Sequence, residues 1–123
     1  MLREILFIDD DADDQRIIKM VVARVSKGAC EVQCRSTVEE AVEALQAKTF
    51  EMVILDNRLH PFAEVSQTLP RLQEHLGDAS VVIVSDYIQG IDREALPTSV
   101  VAISPKDRLP RLIEDLLVSQ AEL

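Results

Sequence analysis

The chain is short of positive charge, of cysteine and of long apolar runs. It carries 13 Lys and Arg against 22 Asp and Glu, a formal net charge of -9. Phosphate backbones and anionic lipid surfaces are held by Lys and Arg, so this balance argues against nucleic acid or a membrane as primary partner. Cationic groups or metal ions fit it better. No apolar run approaches the roughly 18 residues of a membrane-spanning helix, and no basic-then-apolar segment opens the chain, so a cytoplasmic location is expected. The two cysteines, Cys30 and Cys34, fall in Cys-Glu-Val-Gln-Cys-Arg. Alternation there puts Cys30, Val32 and Cys34 on one face of a strand and Glu31 and Gln33 on the other. Buried, reduced thiols suit that pattern better than a metal pair or a disulfide.

Internal repeats, low-complexity tracts and Gly/Ser/Pro linkers are also missing, so the 123 residues are expected to form one domain, 1–123. A chain of this size can bury a core without disulfides or structural metal. What does recur is a short apolar block followed by a segment of helical period. The blocks are Ile5–Ile8, Met52–Leu55, Val81–Val84 and Val100–Ile103, with Cys30–Cys34 as a more polar fifth. Continuous apolar runs of this length suit strands buried on both faces of a parallel sheet. Between them lie the helical stripes Ile18/Val21/Val22/Val25, Val38/Ala41/Val42/Leu45, Val65/Leu69/Leu72/Leu76 and Leu109/Leu112/Ile113/Leu116/Leu117. Thr37 and Glu40 form a capping box for the second stripe, Gly77 ends the third, and Asp107 is placed to cap the last. The stretch from Tyr87 to Leu96 is weakly helical, interrupted by Gly90 and closed by Pro97. About five helices alternating with five strands predict a doubly wound α/β fold of flavodoxin type. Its three layers, α/β/α, enclose a parallel sheet of order 2-1-3-4-5.

In such sheets ligands bind beyond the carboxyl ends of the strands. The residues there are Asp9-Asp10-Asp11 after the first block, Asp56 after the third, Ser85 after the fourth and Ser104-Pro105-Lys106 after the fifth. Folding therefore gathers carboxylates, a hydroxyl and an ammonium at one edge. Crowded carboxylates either share protons or capture a hard cation, and an oxygen-only set without His or Cys favours Mg²⁺. A cation beside a carboxylate, a hydroxyl and a Lys is equipment for holding a phosphoryl group, and a carboxylate can itself be the nucleophile that forms an acyl phosphate. Acids after a strand also cap the next helix, an equally good role for Asp11, Asp13 and Asp14. His60, before Pro61, and His75, late in a predicted helix, read as ordinary histidines.

These motifs resemble those of bacterial response-regulator receiver domains over nearly the whole chain. Ile5–Asp11 is similar to the family's first strand and acidic pair, Val53-Ile54-Leu55-Asp56 to the strand ending in the phosphoacceptor, Val82-Ile83-Val84-Ser85 to the strand ending in Ser/Thr, and Lys106 to the family's lysine. The resemblance implies that Asp56 accepts a phosphoryl group from a sensor histidine kinase or a histidine phosphotransfer protein. It implies Mg²⁺ held by Asp9, Asp10, Asp56 and the backbone carbonyl of Arg58, with Ser85 and Lys106 on phosphoryl oxygens. It also implies a signalling protein of a two-component system or phosphorelay rather than an enzyme. Phosphotransfer would be self-catalysed and would control binding to a further protein. With no output domain after the last helix, a stand-alone module is expected.

Four features depart from the family. The loop Asn57-Arg58-Leu59-His60-Pro61-Phe62 has its proline one place late and no glycine; Asp86 follows Ser85 where a small residue is usual; Ile103 occupies the place of the aromatic switch residue; and the fourth helix is poorly written. Switching would then use another element, with Tyr87 or the Tyr87–Pro97 segment as the candidate. Two other readings stand beside the first. One is a degenerate receiver that binds partners without phosphorylation. The other is a haloacid-dehalogenase-like phosphatase using Asp9 in Asp9-Asp10-Asp11, although the Gly-Thr and the late acidic pair expected of that family are missing.

Overall fold

Each apolar block becomes a strand because its alternate side chains have two different helix layers to bury against. The computed structural model describes residues 4–57, 65–86, 91 and 93–121. Its strands are β1 (Glu4–Ile8), β2 (Glu31–Arg35), β3 (Met52–Asp56), β4 (Ser80–Ser85) and β5 (Val100–Pro105). They form one parallel sheet in the order β2-β1-β3-β4-β5. Leu6, Ile8, Val53, Leu55, Val81 and Ile83 face a cluster completed by α2 (Val38–Ala47) and α3 (Val65–Gln73). Ile5, Phe7, Met52, Ile54, Val82 and Val84 face the opposite cluster, completed by α1 (Ala12–Ser26) and α4 (Leu109–Ala121). Two buried faces explain why these strands read as unbroken apolar runs rather than as alternation.

Strand β2 lies at the sheet's edge and keeps the expected alternation. Cys30 is buried, Val32 and Cys34 pack on the α1/α4 side, and Glu31 is exposed. Both cysteines are free thiols, and burial raises the pKa of each above the ordinary thiol value. The start of α2 matches the predicted box with one change. Thr37 Oγ1 accepts from the Glu40 N–H at 3.1 Å, but the Glu40 carboxylate reaches back to the Ser36 N–H at 3.0 Å.

Two local expectations are corrected. Helix α3 ends at Gln73, ahead of Gly77, which takes the left-handed conformation (φ +59°) in the turn leading to β4. Asp107 does not cap the last helix from outside, because a 3-10 turn (Lys106–Arg108) already winds the chain before Leu109 and encloses it. Of the weakly helical stretch from Tyr87 to Leu96, residues 87–90 and 92 lie outside the described residues, and Arg93–Ala95 form a 3-10 turn.

Candidate functional site

The site begins where β1 stops. The Asp9 N–H donates to the Arg35 carbonyl at 3.0 Å, continuing the β1–β2 ladder, and the side chain is fully buried. Its Oδ1 accepts from the Asp11 N–H at 2.9 Å, which turns the chain toward α1. Asp11 then caps that helix, accepting from the Asp13 and Asp14 N–H groups at 2.8 and 3.3 Å. Gln15, one turn into α1, donates from Nε2 to the Asp9 carbonyl at 2.6 Å and to Ser36 Oγ at 3.2 Å. That amide ties the end of β1 to the loop after β2.

Asp56 closes β3, the neighbour of β1 on its other side, and is buried. Asn57 continues the ladder by donating its N–H to the Val84 carbonyl at 2.7 Å. The strands thus deliver two buried carboxylates to adjacent ends, with the exposed Asp10 beside them. One carboxylate oxygen from each of Asp9, Asp10 and Asp56 lies within 4.8 Å of the others. Ser85 ends β4 and is also buried. Lys106 follows β5, and its ammonium reaches the acids: Nζ lies 2.9 Å from Asp14 Oδ2, 3.1 Å from Asp9 Oδ2 and 3.4 Å from Asp56 Oδ2.

Burial pushes the Asp9 carboxyl up from 3.8 to about 7. The Asp11 N–H opposes that rise, the negative charge of Asp56 adds to it, and the Lys106 ammonium opposes it in turn. For Lys106 itself burial works against the charge. The hydrogen bond to Asp14 and the charges of Asp56 and Asp9 outweigh it and hold the ammonium above the ordinary lysine range. Asp9 Oδ2 is buried and has no hydrogen bond among the described residues, although it lies in ion-pair range of Lys106. A buried acceptor beside further carboxylates, with only oxygen donors, fits a small hard cation.

Of the residues singled out from the sequence, Asp9, Asp10, Asp56 and Lys106 are brought together, and Ser85 stands at the same sheet edge. Arg58, His60, Pro61 and Phe62 lie outside the described residues. Asp86 is exposed and stays out of the carboxylate cluster. Ile103 is half-buried against the α2/α3 layer. His75 follows α3, at the opposite end of the sheet from Asp56, and its Nε2 lies 3.3 Å from Glu74. Asp14 as a partner of Lys106 and Gln15 as a tie emerge only from the structure. Only helical phase within α1 hints at them, since Asp14 and Gln15 stand one turn beyond Asp10 and Asp11.

Five parallel strands in this order, with acids at the ends of β1 and β3, make the fold that of CheY-like response-regulator receiver domains. The chain is similar to the receiver domain from Methylobacillus flagellatus, with a TM-score of 0.77 at 15% identity over 97% of this chain and 98% of that one. The receiver domain from Methanospirillum hungatei JF-1 gives 0.73 at 23% identity, over 99% and 93%. A response regulator from Burkholderia pseudomallei, solved with a phosphorylated aspartic acid, a calcium ion and citrate, gives 0.62 at 15% over 97% and 73%. No protein-family model matches the sequence, and no curated protein matches it. No described helix is long and apolar enough to cross a membrane.

Proposed function

We propose that this chain is a phosphorylation-controlled signalling module whose acceptor is Asp56. The observation that carries the reading is the meeting of Asp9, Asp10 and Asp56 within 4.8 Å, with the Lys106 ammonium 3.4 Å from Asp56. In the transfer, a carboxylate oxygen of Asp56 attacks the phosphorus of a partner's phosphohistidine. The bond from phosphorus to the imidazole nitrogen breaks, and its electron pair stays on that nitrogen. Asp9 and Asp10, with Asp56, would hold Mg²⁺, with the Arg58 carbonyl as a further ligand. Bound there, Mg²⁺ would neutralise charge building on the phosphoryl oxygens. Lys106 supplies positive charge to the same oxygens and Ser85 a hydroxyl donor. The Burkholderia pseudomallei structure supports the reading as a protein of the same fold that carries a phosphorylated aspartic acid.

The acceptance and later hydrolysis are self-catalysed, and the output is a changed affinity for another protein, in the cytoplasm. Sensor histidine kinases or histidine phosphotransfer proteins are the donors. The degenerate-receiver reading gains nothing from the described residues, which keep acids, hydroxyl and ammonium at one edge. A phosphatase centred on Asp9 gains nothing from the fold. Incubation with Mg²⁺ and phosphoramidate, followed by intact mass, tests the proposal. A single acid-stable, base-labile adduct that disappears in Asp56→Asn is expected. An adduct that survives Asp56→Asn would refute Asp56 as acceptor, and no adduct despite demonstrated Mg²⁺ binding would favour the degenerate module.

A further inference from the structure

Lys106 is drawn to more acids than phosphoryl binding requires. Three carboxylate oxygens lie within 3.4 Å of an ammonium with three hydrogens, and the nearest belongs to Asp14 rather than to Asp56. Asp14 comes from the first turn of α1, and Lys106 opens the turn that leads into α4. Their contact therefore ties α1 to the turn before α4, at a small cavity that both residues line together with Asp9, Phe7 and Leu109. For Lys106 to add a phosphoryl oxygen to its partners, one carboxylate must give way. Asp9 and Asp56 have side chains 0% and 6% exposed, whereas that of Asp14 is 31% exposed. Releasing a buried carboxylate costs far more than releasing one that water can reach.

We propose that Asp14 is a positioning residue that holds Lys106 toward α1 in the resting chain and yields it when Asp56 is phosphorylated. The hold rests on the phosphoacceptor reading of Asp56 and goes beyond it, because it gives α1 a part in the transition. A phosphoryl group brings about 1.5 to 2 negative charges and three acceptor oxygens to a place where the carboxylate carried one charge, and so competes successfully for the ammonium. Asp14 is then left as a hydrated carboxylate on the surface of α1, and the tie between α1 and the turn before α4 is open.

The test is a double-mutant cycle read by the rate of phosphoryl uptake from phosphoramidate with saturating Mg²⁺. Asp14→Asn should accelerate uptake about threefold to tenfold, the worth of one partly exposed charge-assisted hydrogen bond. Asp14→Glu should return the rate toward that of the parent. In the Lys106→Met background Asp14→Asn should change nothing, because the partner is gone. An acceleration that persists there would reduce the effect to net charge and overturn the hold. The side-chain ammonium resonance of Lys106 gives a second readout that needs no phosphoryl group. It should move on Asp14→Asn and not on Asp13→Asn, whose carboxylate pairs with Arg16; an unmoved signal overturns the hold. Uptake by the parent with no response to Asp14→Asn removes this inference alone, whereas no uptake by the parent removes the phosphoacceptor reading and the role of Asp14 with it.

Discussion

Strand β3 is buried at every residue and β1 at all but its first, and the two pair without irregularity. Strand β5 carries a register shift opposite Val81 and Val82 and leaves Val101 54% exposed. The carboxylates thus stand on the regular, buried half of the sheet and the ammonium on the irregular half. Strand packing and ladder hydrogen bonds place Asp9 and Asp56. The final position of Lys106 is decided by which acids pull on it, and for that reason a half-exposed residue such as Asp14 can matter there.

The largest expected contrast is in stability. Truncating Ile54 to Ala in the middle of β3 should cost about 2–5 kcal/mol in denaturant unfolding, the usual range for a fully buried aliphatic side chain. Removing the ammonium by Lys106→Met takes a counter-charge away from two buried carboxylates and should cost about 1–3 kcal/mol at pH 8 in chelator, with part of the loss recovered by added Mg²⁺.

The Asp9 carboxyl gives a pH signature. Its folded value of about 7 lies above the ordinary 3.8, so the folded chain binds the proton that the unfolded chain has released. Its contribution is fully present below about pH 4 and is lost as the pH climbs toward 7. Asp9→Asn should remove that slope and, in chelator at pH 8, stabilise the chain by about 1–2 kcal/mol. A slope unchanged in Asp9→Asn would mean that burial does not strain this carboxyl. The smallest effect is expected at the bulge, where Val101→Ala should stay within about 0.5 kcal/mol. A loss there as large as that at Ile54 would erase the contrast between the two halves.

The strands were legible because burial on both faces writes itself as unbroken runs such as Val81-Val82-Ile83-Val84. The edge strand was legible for the opposite reason, since Cys30, Val32 and Cys34 alternate with Glu31 and Gln33. The same rule hid the bulge, because Val100-Val101-Ala102-Ile103 is equally apolar whether or not Val101 turns outward. Asp9, Asp10, Asp56, Ser85 and Lys106 were legible because each closes or follows a strand. Asp14 was not. Its carboxylate meets Lys106 only because α1 and α4 share one layer, a contact 92 residues apart in sequence that no local pattern encodes. Asp107 misled for a related reason, since a 3-10 turn wound the chain before the expected cap could act.

The central claim is that phosphoryl groups arrive on Asp56. Its most direct test is to treat the phosphorylated chain with borohydride, which reduces an acyl phosphate to an alcohol, and to locate that alcohol by peptide mass spectrometry. The account predicts a single reduced side chain at position 56. A reduced side chain at position 9 or 10, with position 56 unchanged, would contradict it.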